Sequence, residues 1–335
     1  MTAVVNKESH GLAVSVVIAT YERPEYLHRC LHQLSQQVLP PNEVVVVDAS
    51  LSDESRKVSK LFGNVTYISN PAGRGSMTNS RNVGWRASTG EVVAFIDDDA
   101  FADPHWLEHL AAAYEDDNIG GVGGRAVRSE LDVAHVADRV GSLTPDGQLV
   151  ANFEALAPGV LDVCHLIGCN MSFRRWALER VGGFREEYRG TEVREETDLC
   201  FRVIEEGLRL RYQPKALVVH VGGPYVRGHR FDVRYDYFMA RNHAYLLVQH
   251  FGFRARIVRS FAIGLVRRTA FDGLRHFART FLRAGASLSG LVVGLLAGLG
   301  SQDSSKPSPV HDGTIFNRWI GASRQSSSPP TEVKQ

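Results

Sequence analysis

The chain of 335 residues carries a net charge of +1, with 44% hydrophobic and 22% charged residues. It is long enough to bury a substantial core, and it presents no global field that would draw it to nucleic acid. Its four cysteines, Cys30, Cys164, Cys169 and Cys200, form no CxxC pair, so they indicate neither a zinc site nor a disulfide framework and fit reduced thiols in a cytosolic setting. Residues 1–11 read as a flexible lead-in. The first apolar run, Ala13 to Ala19, has the character of a strand, so no signal peptide is expected.

Val14 to Thr20 is rich in β-branched residues and reads as a first strand. The turn Tyr21-Glu22-Arg23-Pro24 follows, with Pro24 suited to the start of a helix whose apolar face is Leu27, Leu31 and Leu34. Pro40-Pro41 breaks that helix. Glu43 to Asp48 is a continuous apolar strand ending in a carboxylate. Ser52-Asp53-Glu54-Ser55 has the form of a capping box before a helix with Val58 and Leu61. Val65 to Ile68 makes a third strand, Asn70 to Gly75 a flexible turn, and Met77 to Ala87 another helix. Then Val92 to Ile96, a short apolar run, leads straight into Asp97-Asp98-Asp99. Asp103-Pro104 is read as an N-cap with proline at the first helical position.

Alternating strands and helices predict a parallel sheet with right-handed crossovers. Thr20 with Glu22, Asp48, and Asp97 to Asp99 all fall at carboxyl ends of predicted strands, the edge at which open α/β sheets bind ligands. A nucleotide-type crevice is therefore expected. Three adjacent carboxylates repel one another, a cost that a hard divalent cation would offset. The plainer reading of the same residues is a solvated acidic turn that caps the next helix.

From Gly120 the character changes. Gly120 to Val127 reads as a glycine-rich strand, and residues 128–160 as a loop-rich, substrate-facing insertion. Ile167 to Phe173 is a short strand, and Arg174 to Val181 a short helix closed by Gly182-Gly183. Leu199, Cys200, Val203 and Ile204 share one helical face ending near Gly207, which places Glu196 at the start of that helix on the inward side. Arg209 to Val219 is a last strand, followed by His220. Beyond Phe231 the chain reads as helical and basic: eight arginines and one acid, Asp272, lie between Phe251 and Arg283, ahead of the uncharged stretch Ala284 to Leu299. That stretch is shorter and richer in glycine and serine than a standard spanning helix. A basic amphipathic segment leading into a modest apolar one points to a helix lying on an anionic membrane surface; the alternative is an appendage packed on the domain with a solvated arginine face. No nucleic-acid motif accompanies the arginines. Residues 301–335, rich in Ser, Pro and Gln, are expected to be disordered.

Five fragments in order, Ser15 to Arg23, Val47-Asp48, Ser80 to Gly84, Phe95 to Asp99 and Glu195 to Leu199, resemble family 2 glycosyltransferases, inverting sugar-nucleotide enzymes of the GT-A fold. The resemblance covers residues 12–222. It implies an α/β fold, a mixed and mostly parallel sheet flanked by helices, as a catalytic domain over 12–230; the helical region read above over 231–300 lies beyond it as a C-terminal appendage. It implies transfer of a hexosyl or deoxyhexosyl group from a nucleoside-diphosphate sugar to an acceptor hydroxyl on a glycan or lipid carrier. The setting would be cytoplasmic and peripheral at the inner face of the plasma membrane. By the same resemblance Asp97 and Asp99 form the DxD, with Mg²⁺ or Mn²⁺ held by Asp99, Asp97 and His220, and Asp98 is a supporting or loop acid. Asp48, Thr20 and Glu22 would hold base and ribose, Arg81 the base or phosphates, and Asn170 would lie near the donor. The general base is the second acid of the family's Glu-Asp pair, here Glu196, with Glu195 a competitor. A sugar nucleotidyltransferase would instead carry a glycine-rich basic turn after the first strand, and an inactive binding module of the same fold would be expected to have lost these acids.

Overall fold

Buried β-branched runs build the sheet. In the computed structural model, which describes residues 11–129, 132, 135–188, 190, 193–222, 233–275 and 279–301, the elements are β1 (Val14–Thr20), α1 (Pro24–Ser35), β2 (Glu43–Asp48), α2 (Glu54–Ser59), β3 (Val65–Ser69), α3 (Met77–Ala87), β4 (Val92–Asp97), β5 (Ala100–Ala102), α4 (Trp106–Ala112) and β6 (Ile119–Val127). There follow β7 (Ser142–Leu143), β8 (Leu149–Val150), β9 (Leu161–Val163), β10 (Asn170–Arg174), α5 (Arg175–Val181), α6 (Glu195–Glu205), β11 (Arg209–His220), α7 (Val233–Phe251), α8 (Arg256–Arg275) and α9 (Arg279–Gly300). Of the expected lead-in over residues 1–11 and tail over 301–335, residues 1–10 and 302–335 lie outside the described residues.

The main sheet runs β3-β2-β1-β4-β10-β6-β11-β5, with β9 paired to β11. Its first four strands are parallel, as the alternation predicts. β10 enters antiparallel to both β4 and β6, so the second half is mixed. Period-two alternation divides each central strand between two layers. Val17, Val45, Val47, Val93 and Phe95 belong to the core under α3, α6 and α7; Val16, Ile18, Val44, Val46, Ala94 and Ile96 belong to the core under α1 and α4. Gly84 lets α3 lie directly on the sheet, because a Cβ there would collide with Val17.

Three local expectations are corrected. Ser52 to Ser55 is no capping box: Asp53 caps α2 without a side-chain hydrogen bond, Ser52 Oγ reaches Glu22, and Glu54 pairs with Lys57. Asp103-Pro104 forms a turn in which the Asp103 carboxylate accepts from His105 N, so α4 begins later, at Trp106. The apolar segment near the C-terminus is longer than its charge-free core: Leu282–Gly300, at mean hydropathy 1.6, is long and apolar enough to cross a membrane, and 22% of that window is buried within the protein.

The C-terminal helices share the core of the sheet. Ala244, Leu246, Leu247 and Val248 of α7, Ile257, Val258 and Phe261 of α8 and Leu291 of α9 join the α6 side of the sheet. α9 approaches α7 through glycine; a Cβ on Gly294 would strike the carbonyl of Arg241. α7 is also fastened by charge. Asp198, fully buried in α6, accepts from Arg202 Nε at 2.7 Å, Tyr188 Oη at 3.1 Å, Arg185 Nη1 at 3.1 Å and His250 Nε2 at 3.0 Å. His250 Nδ1 meets Glu205 at 2.7 Å, so the ring sits between two carboxylates and suits the doubly protonated form. Burial opposes that charge, but Glu205 and Asp198 prevail and lift the His250 pKa to about 9.

A folded-state pKa raised above the ordinary histidine value means stability fully present below about pH 6.5 and lost as pH rises through about 9. Thermal or urea denaturation should show this loss, at up to about 1.4 kcal/mol per pH unit across that window. His250→Gln should be less stable at pH 6.5 and flat across the window, and an unchanged slope in the variant would assign the dependence elsewhere.

Candidate active site at the carboxyl edge of the sheet

Sheet register gathers the predicted strand-end residues. Thr20 lies beside Asp48, and Ala19 beside Asp97, so the carboxyl ends of β1, β2 and β4 form one edge. Asp97 closes β4, Asp98 and Asp99 make a tight turn, and β5 then pairs antiparallel with β11. Ala100 is opposite His220, and Val221 N donates to the Asp99 carbonyl at 3.1 Å. This pairing carries the histidine to the acids across more than a hundred residues of sequence.

The three aspartates have different neighbours. Asp98 is fully buried; it accepts from Thr20 Oγ1 at 2.7 Å and pairs with Arg23 Nη2 at 2.6 Å. Burial pushes its carboxyl up to about 7, against the pull of Arg23. Arg23 Nη1 also reaches Asp99 Oδ2 at 3.0 Å. Asp97 takes Arg81 Nη2 at 2.9 Å. His220 Nε2 stands 3.2 Å from Asp99 and 3.8 Å from Asp97. Burial lowers the His220 pKa, but the bond to Asp99 and the nearby acids raise it to about 11. The repulsion within the triplet is therefore met in part by two guanidiniums and an imidazole. Asp97, Asp99 and His220 still offer three ligand atoms within 4.8 Å of one another. Two carboxylates and an imidazole form a donor set suited to a divalent cation.

Arg81 is 2% exposed and has three acceptors: Asp97, Glu195 Oε1 at 2.8 Å and the Gly168 carbonyl at 3.0 Å. Its hydrogen bonds tie the acidic turn to the first residue of α6. Glu195 is accordingly 2% exposed and committed to Arg81, whereas Glu196 is half-buried and accepts from the neighbouring Thr197 hydroxyl at 3.2 Å. Of the expected base and ribose residues, Asp48 accepts from Ser50 N at 2.8 Å and Tyr67 Oη at 2.9 Å. Glu22, at φ 53°, accepts from Leu51 N and stays partly exposed. Thr20 serves the acidic turn from below. Asn170 is a correction. It is fully buried, donates to the carbonyls of Arg125 and Ala216, and accepts from Trp106 Nε1, so it braces strands and is not free to touch a donor.

The Glycosyl transferase family 2 model matches residues 15–182. The chain belongs to glycosyltransferase family 2. The family assignment disposes of the nucleotidyltransferase alternative. A glucosyl-dolichyl phosphate glucuronosyltransferase of Haloferax volcanii is 30% identical over 223 residues, covering 62% of this chain and 69% of the relative. A pre-mycofactocin glycosyltransferase of Mycobacterium tuberculosis is 32% identical over 191 residues, covering 53% of this chain and 37% of that protein. In fold, this glycosyltransferase is similar to a mannosyltransferase from Pyrobaculum calidifontis in complex with GDP-Man and Mn²⁺, at TM-score 0.54 and 19% identity over 88% of this chain and 89% of that one. It is also similar to GalNAc-T7 with UDP, GalNAc and Mn²⁺, at TM-score 0.53 and 17% identity over 72% of this chain and 52% of that one. The α/β sheet with flanking helices is thus the GT-A fold.

Residues that the sequence did not single out also stand in the site. Arg23 was visible only as part of the turn before Pro24, and its partners lie some seventy-five positions away. Removing Arg81 would leave Asp97 and Glu195 without their shared cation, a loss worth about 3–5 kcal/mol for a broken buried pair. Urea denaturation of Arg81→Ala should show a loss of that size, and a loss below about 1 kcal/mol would mean that the pairing contributes little.

Proposed function

We propose that this glycosyltransferase is metal-dependent and inverting, and that it passes a sugar from a nucleoside diphosphate to a hydroxyl of a lipid-linked or glycan acceptor. The observation that carries the reading is the juxtaposition of Asp97, Asp99 and His220 with a partly exposed acid, Glu196, held nearby by the Arg81 tie. Both solved structures named above hold Mn²⁺, and the Haloferax relative acts on a lipid-linked sugar phosphate by its name.

Asp97, Asp99 and His220 would hold a divalent metal, Mg²⁺ or Mn²⁺, which when bound neutralises charge developing on the diphosphate leaving group. Arg23 pairs with both Asp98 and Asp99 and so braces the acidic turn. Asp48 and Glu22, farther along the edge, suit the ribose and base. Arg81, expected from the resemblance to hold the base or phosphates, has its hydrogen bonds filled by Asp97, Glu195 and the Gly168 carbonyl, so it supports the donor end through Asp97. Glu196 takes the proton from the acceptor hydroxyl as that oxygen attacks the anomeric carbon from the face opposite the leaving group. Glu195 is the less suitable base because its charge is already shared with Arg81.

The C-terminal helices fit a peripheral membrane setting. Arg254, Arg256, Arg259, Arg267 and Arg268 are exposed beside Phe253, Ile263 and Val266, and α9 exposes Leu282, Val292, Val293, Leu296 and Leu299. Arginines flanking an exposed apolar face complement an anionic lipid surface.

EDTA should abolish transfer and Mn²⁺ should restore it; activity indifferent to EDTA removes the metal from the account. Glu196→Gln should lower kcat by about 10²- to 10⁴-fold while leaving donor affinity near that of the parent. If Glu195→Gln has that signature instead, the base is misassigned. On flotation, the protein should travel with vesicles containing phosphatidylglycerol and remain behind with purely zwitterionic ones. Equal partitioning would count against an anionic surface.

A further inference from the structure

We infer that Arg194 and His165, with Gln148 and Ser142, form an anion subsite fitted to a phosphate group carried by the acceptor. The inference rests on the transferase reading above and adds to it the chemistry of the second substrate.

Of six buried side-chain atoms that find no hydrogen-bond partner among the described residues, four, Ser142 Oγ, Gln148 Nε2, His165 Nε2 and Arg194 Nε, lie outside the acidic turn and α2. Burying such groups unpaired costs about 1–3 kcal/mol each, so a concentration of them needs an explanation. They come from three pieces of chain that meet. Ser142 and Gln148 belong to the β7–β8 hairpin, whose Gly141 carbonyl accepts from His165 N. Arg194 is the residue before α6; the carbonyl of its neighbour Val193 accepts from Asn242 Nδ2 of α7 at 3.1 Å, and its charge acts on both His165 and His243. His243 of α7 closes the group, with Nε2 2.7 Å from the Gly147 carbonyl.

The set is rich in donors, and Glu196 is the acid that acts on both Arg194 and His165. His165 is 3% exposed, and burial together with the Arg194 guanidinium keeps its pKa down near 4. Burial pulls the Arg194 pKa below its ordinary value despite the acids Glu196 and Glu195. The other acids of the first turn are spent elsewhere: Glu195 on Arg81, and Asp198 on Arg202, Arg185 and His250. Arg194 also stands at φ 87°, a left-handed backbone that glycine would adopt without strain. A phosphate would accept from several of these donors at once, and the start of an eleven-residue helix favours it further. Its position beside Glu196, whose charge is felt by both Arg194 and His165, would direct the acceptor's hydroxyl toward the base.

The test is calorimetric titration of the full chain, in EDTA, with inorganic phosphate and with farnesyl monophosphate. Phosphate should bind, and Arg194→Gly, which removes the guanidinium and relieves the backbone, should weaken binding at least tenfold without lowering the melting temperature. Should that variant fail to fold, His165→Asn should show the same weakening. Equal affinity for the two probes would mean that the site reads the phosphate alone, and tenfold tighter binding of the farnesyl ester would mean that the phosphate arrives on a lipid; either supports the subsite. Absence of binding to the parent protein, or binding that both variants leave unchanged, overturns it. Mn²⁺-dependent binding of nucleotide sugars by the parent protein is measured alongside, so failure of the transferase reading would be seen separately.

Discussion

Arg81 is the interaction on which the site depends. A guanidinium 2% exposed is costly to bury and is tolerable only with its hydrogen bonds filled. Here Asp97, Glu195 and the Gly168 carbonyl fill them. Those acceptors belong to the end of β4, the first residue of α6 and the segment before β10. One side chain from α3 therefore fixes the distance between the acidic turn and the acids that open α6. The planar fork of arginine makes this fixation directional in a way that the single ammonium of lysine would not.

Charge compensation continues outward from that tie. Arg23 takes up Asp98 and one oxygen of Asp99, and His220 faces the other oxygen of Asp99. One helical turn past Glu195, Asp198 gathers Arg185, Arg202, Tyr188 and His250, the last from α7. The acidic edge and the C-terminal helices are thereby joined through α6, and they share one apolar core. The same helix is preceded by Arg194, whose backbone is left-handed and whose Nε is unpaired.

Much of this was legible from residue order alone. Apolar runs such as Val44 to Val47 and Val92 to Ile96 announce strands buried on both faces, and their terminal acids align because parallel strands end on a common edge. His220 was legible for the same reason, as the last residue of a strand. Partnerships between distant residues were not. Nothing local distinguishes Glu195 from Glu196, two adjacent acids that point about 100° apart on a helix; only the position of Arg81 makes one a strut and leaves the other partly exposed. Asn170 read as a donor contact because it ends a strand at the right edge, yet its amide is consumed by Arg125, Ala216 and Trp106. The helix starts at Glu54 and Trp106 were misplaced because Ser52 and Asp103, cap-like in sequence, are engaged in turn contacts instead.

The central claim is that a nucleotide sugar and a divalent cation bind together at the edge shared by β1, β2 and β4. Its most direct test is a thermal-shift screen of GDP-, UDP- and dTDP-sugars, each with Mn²⁺ and with EDTA. A ligand that binds the folded state raises the melting temperature by mass action. The account predicts that at least one donor raises it with Mn²⁺, and that the rise disappears both in EDTA and in Asp99→Asn. A rise of equal size in EDTA, or no rise with any donor, would contradict it.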